Sequence, residues 1–166
     1  MKLILLNGPP GSGKSTLARR YADNHSPALA LDVDRIRAMI GGWRASPGEA
    51  GLLARDIALA AARTHLAAGH DVVVSQLVAR PGFPERLEAV ASECGASFHE
   101  VVLLPGREVV RRRFAARGSS EVEVAVPLSE PDLDQAYEAV AAFAASRRTR
   151  VIAAADAYAA LLAVLT

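Results

Sequence analysis

The sequence predicts an α/β protein, a parallel sheet with helices on both of its faces. Three observations carry that prediction. Short apolar runs alternate with longer helical patterns along the whole chain. The first run leads straight into a glycine-rich turn, Gly8-Pro9-Pro10-Gly11-Ser12-Gly13-Lys14-Ser15. That turn fits G-x-x-x-x-G-K-[ST] at every fixed position, and a helix-forming stretch follows it, as the motif requires.

The elements follow in order. Leu3 to Leu6 is an unbroken apolar run, the pattern of a strand buried on both faces. The first helix is expected from Lys14 to Asn24. Ala28 to Asp32 reads as a second buried strand, entered through Ser26-Pro27. Arg35 to Ile40 reads as a short helix, and Gly41 to Gly48 as a loop rich in turn residues. A long alanine-rich helix is expected from Glu49 to Ala68, stopped by Gly69. Asp71 to Ser75 is the third strand. The Pro81–Pro84 loop feeds a helix from Glu85 to Cys94. Phe98 to Leu104 is the fourth strand, and Glu108 to Arg117 an arginine-rich helix closed by Gly118. Residues 119–131 have two prolines and no period, and read as a flexible connection. Asp132 to Ser146 is helical, capped by Asp132 or Ser129. Arg150 to Ala153 is the fifth strand and Asp156 to Leu165 the last helix. No repeat or second domain is visible, so residues 1–166 are expected to form a single domain.

Composition narrows the function classes. The chain has 166 residues, 51% hydrophobic and 22% charged, which is the make-up of a globular protein with a real core. A net charge of +1 gives no support for a general nucleic-acid binder. Cys94 is the only cysteine, so an internal disulfide and a cysteine zinc cage are both excluded. The sequence shows no signal-peptide pattern before the first strand and no apolar stretch of spanning length, so a cytoplasmic setting is the default expectation. The histidines, His25, His65, His70 and His99, show no ligand or triad spacing and read as structural.

The glycine-rich turn is a phosphate cradle. Its backbone N–H groups, from Gly8 through Gly11, Ser12 and Gly13 to Thr16, can wrap phosphate oxygens, helped by the positive end of the helix. Pro10 lies within the same turn. Lys14 can reach the β- and γ-phosphates, and the Ser15 hydroxyl can hold Mg²⁺. ATP and Mg²⁺ are therefore the expected cofactors.

Asp32-Val33-Asp34 closes the second strand, at the edge where open α/β sheets bind ligands. Strand alternation would point both carboxylates the same way. Asp32 would then support the metal, directly or through water, and Asp34 would act as general base toward an attacking hydroxyl. The alternative is that Asp34 simply caps the next helix. Arg37, one turn on, either grips a polar or anionic acceptor or is a solvated surface residue. In the arginine-rich helix, Arg113 and Arg117 flank an apolar stripe and could cover ATP or neutralise the transferring phosphoryl group. The alternative for this cluster is a solvated helix face.

The third strand ends in Ser75-Gln76 without the metal-binding acid of common P-loop ATPases, which shifts metal support toward Asp32. Gln76 and Arg80 follow on the binding edge as candidate substrate contacts, or as plain loop residues. Trp43, the only tryptophan, either walls a substrate pocket or sits as a staple beneath the long helix.

In sum these residues resemble the small P-loop kinases, the group of gluconate, shikimate and chloramphenicol kinases and the polynucleotide 5′-kinase domain. Asp32-Val33-Asp34 looks like the D-x-D of shikimate kinases, and Asp34 with Arg37 like the D-x-x-R of polynucleotide kinases. Arg113-Phe-Ala-Ala-Arg117 is similar to the R-x-x-x-R lid of the group. The resemblance implies a P-loop NTPase three-layer sandwich, with a five-stranded parallel sheet of order 2-3-1-4-5 and a short arginine-rich lid. It places adenine near Ala153 to Asp156. The glycine-rich substrate loop of shikimate kinases is missing, since Gln76-Leu-Val-Ala-Arg80 stands in its place. A guanine-specific N-K-x-D is absent too, and the missing strand-3 acid disfavours a mechanical ATPase of the AAA type. The expected activity is transfer of the ATP γ-phosphate to a hydroxyl of a small molecule such as an antibiotic, sugar acid or nucleoside. Rivals are a nucleic-acid 5′-hydroxyl kinase and a nucleotide sensor with weak ATPase activity. The expected partners are ATP and the acceptor, with no membrane and no general nucleic-acid surface, in a monomer or homodimer.

Overall fold

The computed structural model describes residues 1–116, 128–147, 149–153 and 155–166. The expected Gly118 stop, Arg117 and most of the 119–131 connection lie outside the described residues.

Five parallel strands form one sheet, β1 (Lys2–Asn7), β2 (Leu29–Asp32), β3 (Val72–Ser75), β4 (Ser97–Leu103) and β5 (Arg150–Ile152), in the order β2-β3-β1-β4-β5. β1 lies at the centre, paired with β3 from Leu3↔Val72 to Leu6↔Ser75 and with β4 from Lys2↔Ser97 to Asn7↔Val102. Leu3, Leu5, Val72 and Val74 face a core shared with α3 (Pro47–Ala67) and α4 (Phe83–Glu93). Ile4, Leu6 and Val73 face the opposite core, shared with α1 (Lys14–Asn24) and α7 (Ala157–Val164). A helix layer therefore covers each face, and this is why Leu3 to Leu6 reads as a continuous apolar run. Each of these four side chains is fully buried, a contribution of roughly 1.5–3 kcal/mol apiece.

The boundaries expected from sequence hold to within about two residues, and around Asp34 those two residues change the reading. α2 runs Val33–Ala38 and not from Arg35. Asp34 is therefore in the first turn of a helix, and the strand-alternation argument for its direction does not apply. The cap is Asp32, whose Oδ1 accepts from the backbone N–H of Asp34 at 3.1 Å and of Arg35 at 3.3 Å. Both candidates cap α6 (Glu130–Arg147), because Asp132 Oδ2 accepts from Ser129 N–H and Ser129 Oγ accepts from Asp132 N–H. α5 (Arg107–Ala116) follows β4.

Parallel pairing puts the C-terminal ends of all five strands on one edge. Onto it emerge the Gly8–Ser15 turn after β1, α2 after β2, Gln76 to Arg80 after β3, and Ala155 and Asp156 after β5. No helix among the described residues is long and apolar enough to cross a membrane.

Candidate active site

The phosphate cradle owes its shape to glycine. Gly13 sits at φ +94°, a left-handed conformation, and its carbonyl accepts the Leu17 N–H of α1 at 2.9 Å. No side chain caps α1, and no acidic residue lies in its first turn. The first N–H groups of α1 thus have no intrahelical partner and present the positive end of its dipole to the turn. Gly11, at φ +82°, passes so close to α5 that a Cβ there would lie 2.7 Å from the Val110 carbonyl oxygen. Lys14 is 8% exposed, and its Nζ donates to Pro9 O at 3.4 Å, folded back over the turn. Ser12 Oγ is buried without a protein partner. Uncapped donors, a lysine and an orphaned hydroxyl form the polar lining that a polyphosphate would complete.

An open pocket of about 470 Å³ adjoins this turn. Gly13, Thr16, Arg20, Arg113, Asp156 and Tyr158 are among its walls. Ala155 and Asp156 lie in the segment that the resemblance assigns to adenine. The Asp156 carboxylate caps α7, accepting from Tyr158 N–H and Ala159 N–H at 3.1 Å each. The Arg20 guanidinium lies 4.2 Å from the centre of the Tyr158 ring. The pocket thus has an aromatic and cationic wall beside the phosphate cradle, as a nucleotide base and its phosphates need.

The arginines of α5 divide by task. Arg113 Nη1 donates to Ser12 O in the cradle at 3.3 Å. Arg111 pairs with Asp134 of α6 at 2.5 Å, and Arg107 pairs with Glu138 and lies over the Tyr137 ring. These two pin α5 to α6, while Arg113 alone of the three reaches the phosphate turn. Arg117 lies outside the described residues.

For a cation, Ser75 Oγ lies 3.5 Å from Ser15 Oγ. Asp32 is the register partner of Ser75, so its side chain emerges on the same face of the sheet. Ser75 thus stands between the two residues expected to serve the metal. Among the described residues no group of three or more His, Cys, Asp or Glu forms a metal cage. Mg²⁺ fits such a sparse site, because it keeps several waters and takes its other ligands from phosphates.

Beyond β2 on the same sheet edge, Asp34 Oδ1 is 3.5 Å from Arg37 Nη2. Trp43 is 5% exposed, and the Arg37 and Arg44 guanidiniums lie 5.2 Å and 4.6 Å from its ring centre. The ring is a buried platform, and the groups it holds outward are the two guanidiniums. Arg37 Nε is buried without a partner. Gln76 is 9% exposed, with Nε2 donating to Leu77 O at 3.2 Å and Oε1 left unpaired. Arg80 is exposed in the same loop, and among the described residues no hydrogen bond or ion pair joins it to the other site residues. Asp34, Arg37 and Trp43 therefore form one cluster, and Gln76 lies on the next strand end.

Two site residues escaped the sequence reading. Ser75 was passed over because it is not an acid. Nothing in the sequence analysis singles out Asn7. It is fully buried, and its side chain bonds to Gly8 and to Val78. An asparagine closing a buried apolar run was the available signal, since a buried polar side chain must find partners.

Residues 3–143 match the model of the family described as AAA domain. The chain belongs to this family. It is a P-loop kinase family by its resemblances, as the cradle and the sheet order imply. The shared label does not supply the acid missing after β3, where Ser75-Gln76 stands. A relative, the adenylate kinase of Synechococcus sp. (strain WH7803), is 30% identical over 128 residues, covering 71% of this chain and 70% of that one. Two solved structures share the fold. A gluconokinase from Sinorhizobium meliloti 1021 superposes with a TM-score of 0.64 at 20% identity, covering 98% of this chain and 87% of that one. A chain of the Pnkp1/Rnl/Hen1 RNA repair complex gives a TM-score of 0.70 at 17% identity over 87% of this chain. This chain spans a little under half of that larger one, 45%.

Proposed function

We propose that this chain is an ATP-dependent phosphotransferase, acting in the cytoplasm as one P-loop kinase-like domain on a hydroxyl of a small molecule such as an antibiotic, sugar acid or nucleoside. The observation that carries the reading is the Asp34–Arg37 pair at 3.5 Å, on the sheet edge that also bears the phosphate cradle. The family gives the coarser half, a nucleotide-binding kinase fold. The acceptor is the finer half.

In this reading Lys14 and the N–H groups at the start of α1 hold the polyphosphate, since the Gly8 and Ser12 N–H groups are already donated to Asn7 Oδ1 and Pro9 O. The base lies in the pocket of Arg20 and Tyr158. Mg²⁺, held by Ser15 and supported by Asp32, would supply charge neutralisation at the phosphates. Asp34 orients the acceptor hydroxyl and takes its proton. Arg37 holds Asp34 in place and offers its remaining N–H groups to the acceptor, with Gln76 and Arg80 as further contacts. Arg113, and Arg117 from outside the described residues, neutralise charge on the transferring group. Positioning and charge stabilisation are most of what phosphoryl transfer requires.

A second reading is favoured by the relative at 30% identity: the acceptor is a nucleoside monophosphate, with its phosphate held by Arg37 and Arg44. The two are separated by ADP release from Mg-ATP against gluconate, chloramphenicol, nucleosides, AMP and a 5′-hydroxyl oligonucleotide. Asp34→Asn is run beside the parent protein. Stimulation by a hydroxyl acceptor that Asp34→Asn abolishes supports the first reading. Stimulation by AMP that survives Asp34→Asn supports the second. No stimulation by any acceptor, with equal background in both proteins, removes the catalytic role of Asp34 and favours a nucleotide sensor.

A further inference from the structure

Asn7 ends β1 and is fully buried. Its Oδ1 accepts two N–H groups, from Gly8 at 2.7 Å and from Val78 at 2.8 Å. Its Nδ2 donates to Val78 O at 2.7 Å. The side-chain amide thus pairs with both polar groups of the Val78 backbone, as a neighbouring strand would, and with the same oxygen holds the first N–H of the phosphate cradle. Val78 lies midway between Gln76 and Arg80, and it is buried too. At the start of the same loop, Gln76 N–H donates to Leu6 O at 3.2 Å. The β3 ladder to β1 ends at Leu6↔Ser75, so beyond it this one side chain continues the pairing.

We infer that Asn7 is a positioning residue that couples nucleotide occupancy of the cradle to the 76–80 loop. The inference rests on the proposed function for the roles of Gln76 and Arg80, and on geometry for the link. Phosphate held by Lys14 and the N–H groups that start α1 would fix the turn that begins at Gly8. Because Oδ1 is shared, a shift of Gly8 alters the Val78 N–H bond directly. The loop that would meet the acceptor is therefore set only when the nucleotide is in place. Neither oxygen lone pair nor the Nδ2 donor facing Val78 is left to another partner, so no neighbour can take over the link.

The test needs no acceptor. Amide hydrogen exchange of residues 77–80 is followed with and without Mg-ADP, and ADP affinity is measured by calorimetry. In the parent protein ADP slows exchange at Val78 by about tenfold or more, as expected of a locally stabilised unit. In Asn7→Ser the ADP-dependent slowing falls below about twofold, while ADP still binds within about fivefold of the parent. Asn7→Asp keeps the acceptor oxygen and loses the donor, so it retains part of the effect and covers the case in which the serine variant folds poorly. A merely structural role would speed exchange equally with and without ADP and leave the ratio unchanged. An unchanged ratio in either folded variant, or no ADP effect at Val78 in the parent, overturns the inference. The kinase reading fails by a different result, the absence of acceptor stimulation.

Discussion

The Arg113 guanidinium donates to the Ser12 carbonyl at 3.3 Å and so ties α5 to the phosphate cradle across 101 residues of sequence. Two residues earlier, Arg111 is bound to Asp134 and Glu108 and faces α6. The difference between these neighbours is a helix-face difference, and it can be read in solution. Arg113→Ala is expected to weaken Mg-ATP binding by about tenfold, roughly 1.4 kcal/mol, the scale of a charge-assisted hydrogen bond. Arg111→Ala is expected to leave that affinity within about twofold and to lower the unfolding midpoint slightly. Calorimetric titration and urea melts of both variants check this.

Asp32 caps α2 and is proposed to support Mg²⁺, and one substitution separates the two roles. Asparagine caps helices as well as aspartate, so Asp32→Asn is expected to keep the parent stability within about 0.5 kcal/mol, whereas Asp32→Ala loses about 1 kcal/mol. Both variants remove the charge and are expected to need several-fold more Mg²⁺ to reach half-saturation of nucleotide binding. Stability that falls in the alanine variant alone, with Mg²⁺ demand that rises in both, is the expected pattern. Unchanged Mg²⁺ demand would remove Asp32 from metal support.

Gly11 and Gly48 make a contrasting pair. At Gly11 the left-handed φ and the Val110 carbonyl both oppose a side chain, so Gly11→Ala is expected to lose about 1–3 kcal/mol and to displace α5. Gly48 lies in the first turn of α3 with nothing within 4 Å of a built Cβ. Gly48→Ala is expected to gain about 0.5 kcal/mol through helix propensity. Thermal melts of the two variants test both signs.

Arg147 binds two carboxylates whose titrations run in opposite directions. Burial pushes the Glu100 carboxyl above the ordinary glutamate value, although Arg147 at 2.9 Å works against that. Burial also acts on Glu85, but hydrogen bonds from backbone N–H groups and the Arg147 charge outweigh it and hold Glu85 below the ordinary value. The folded state therefore binds the Glu100 proton more tightly than the unfolded state. Its contribution is fully present below the ordinary value and is lost as pH rises through the folded value. The Glu85 contribution is present above the ordinary value and is lost as pH falls through the folded one. Glu100→Gln is expected to remove the loss of stability on the rising side and leave the acid-side loss intact. Urea midpoints between about pH 3 and pH 7 follow both.

The sequence by itself determined the α/β class, the strands and helices to within about two residues, and the P-loop between β1 and α1. It could do so because those features are local: a period of two or 3.6, and eight consecutive residues that fit the P-loop pattern at every fixed position. Asp34 marks where local reading fails, since the chain from Asp32 to Asp34 could continue a strand or begin a helix. Only the pairing of β2 with β3, which ends at Asp32↔Ser75, decided for the helix. Tertiary structure alone separated Arg113 from Arg111, brought Ser75 beside Ser15, and let Asn7 span 71 residues to hold Val78. Each of these is a contact between distant segments, set by how strands are ordered and which helix face meets the sheet. The proposed acceptor residues come from separate strand ends, Asp34, Arg37 and Trp43 after β2 and Gln76 and Arg80 after β3, and so no single stretch of the chain spells them out.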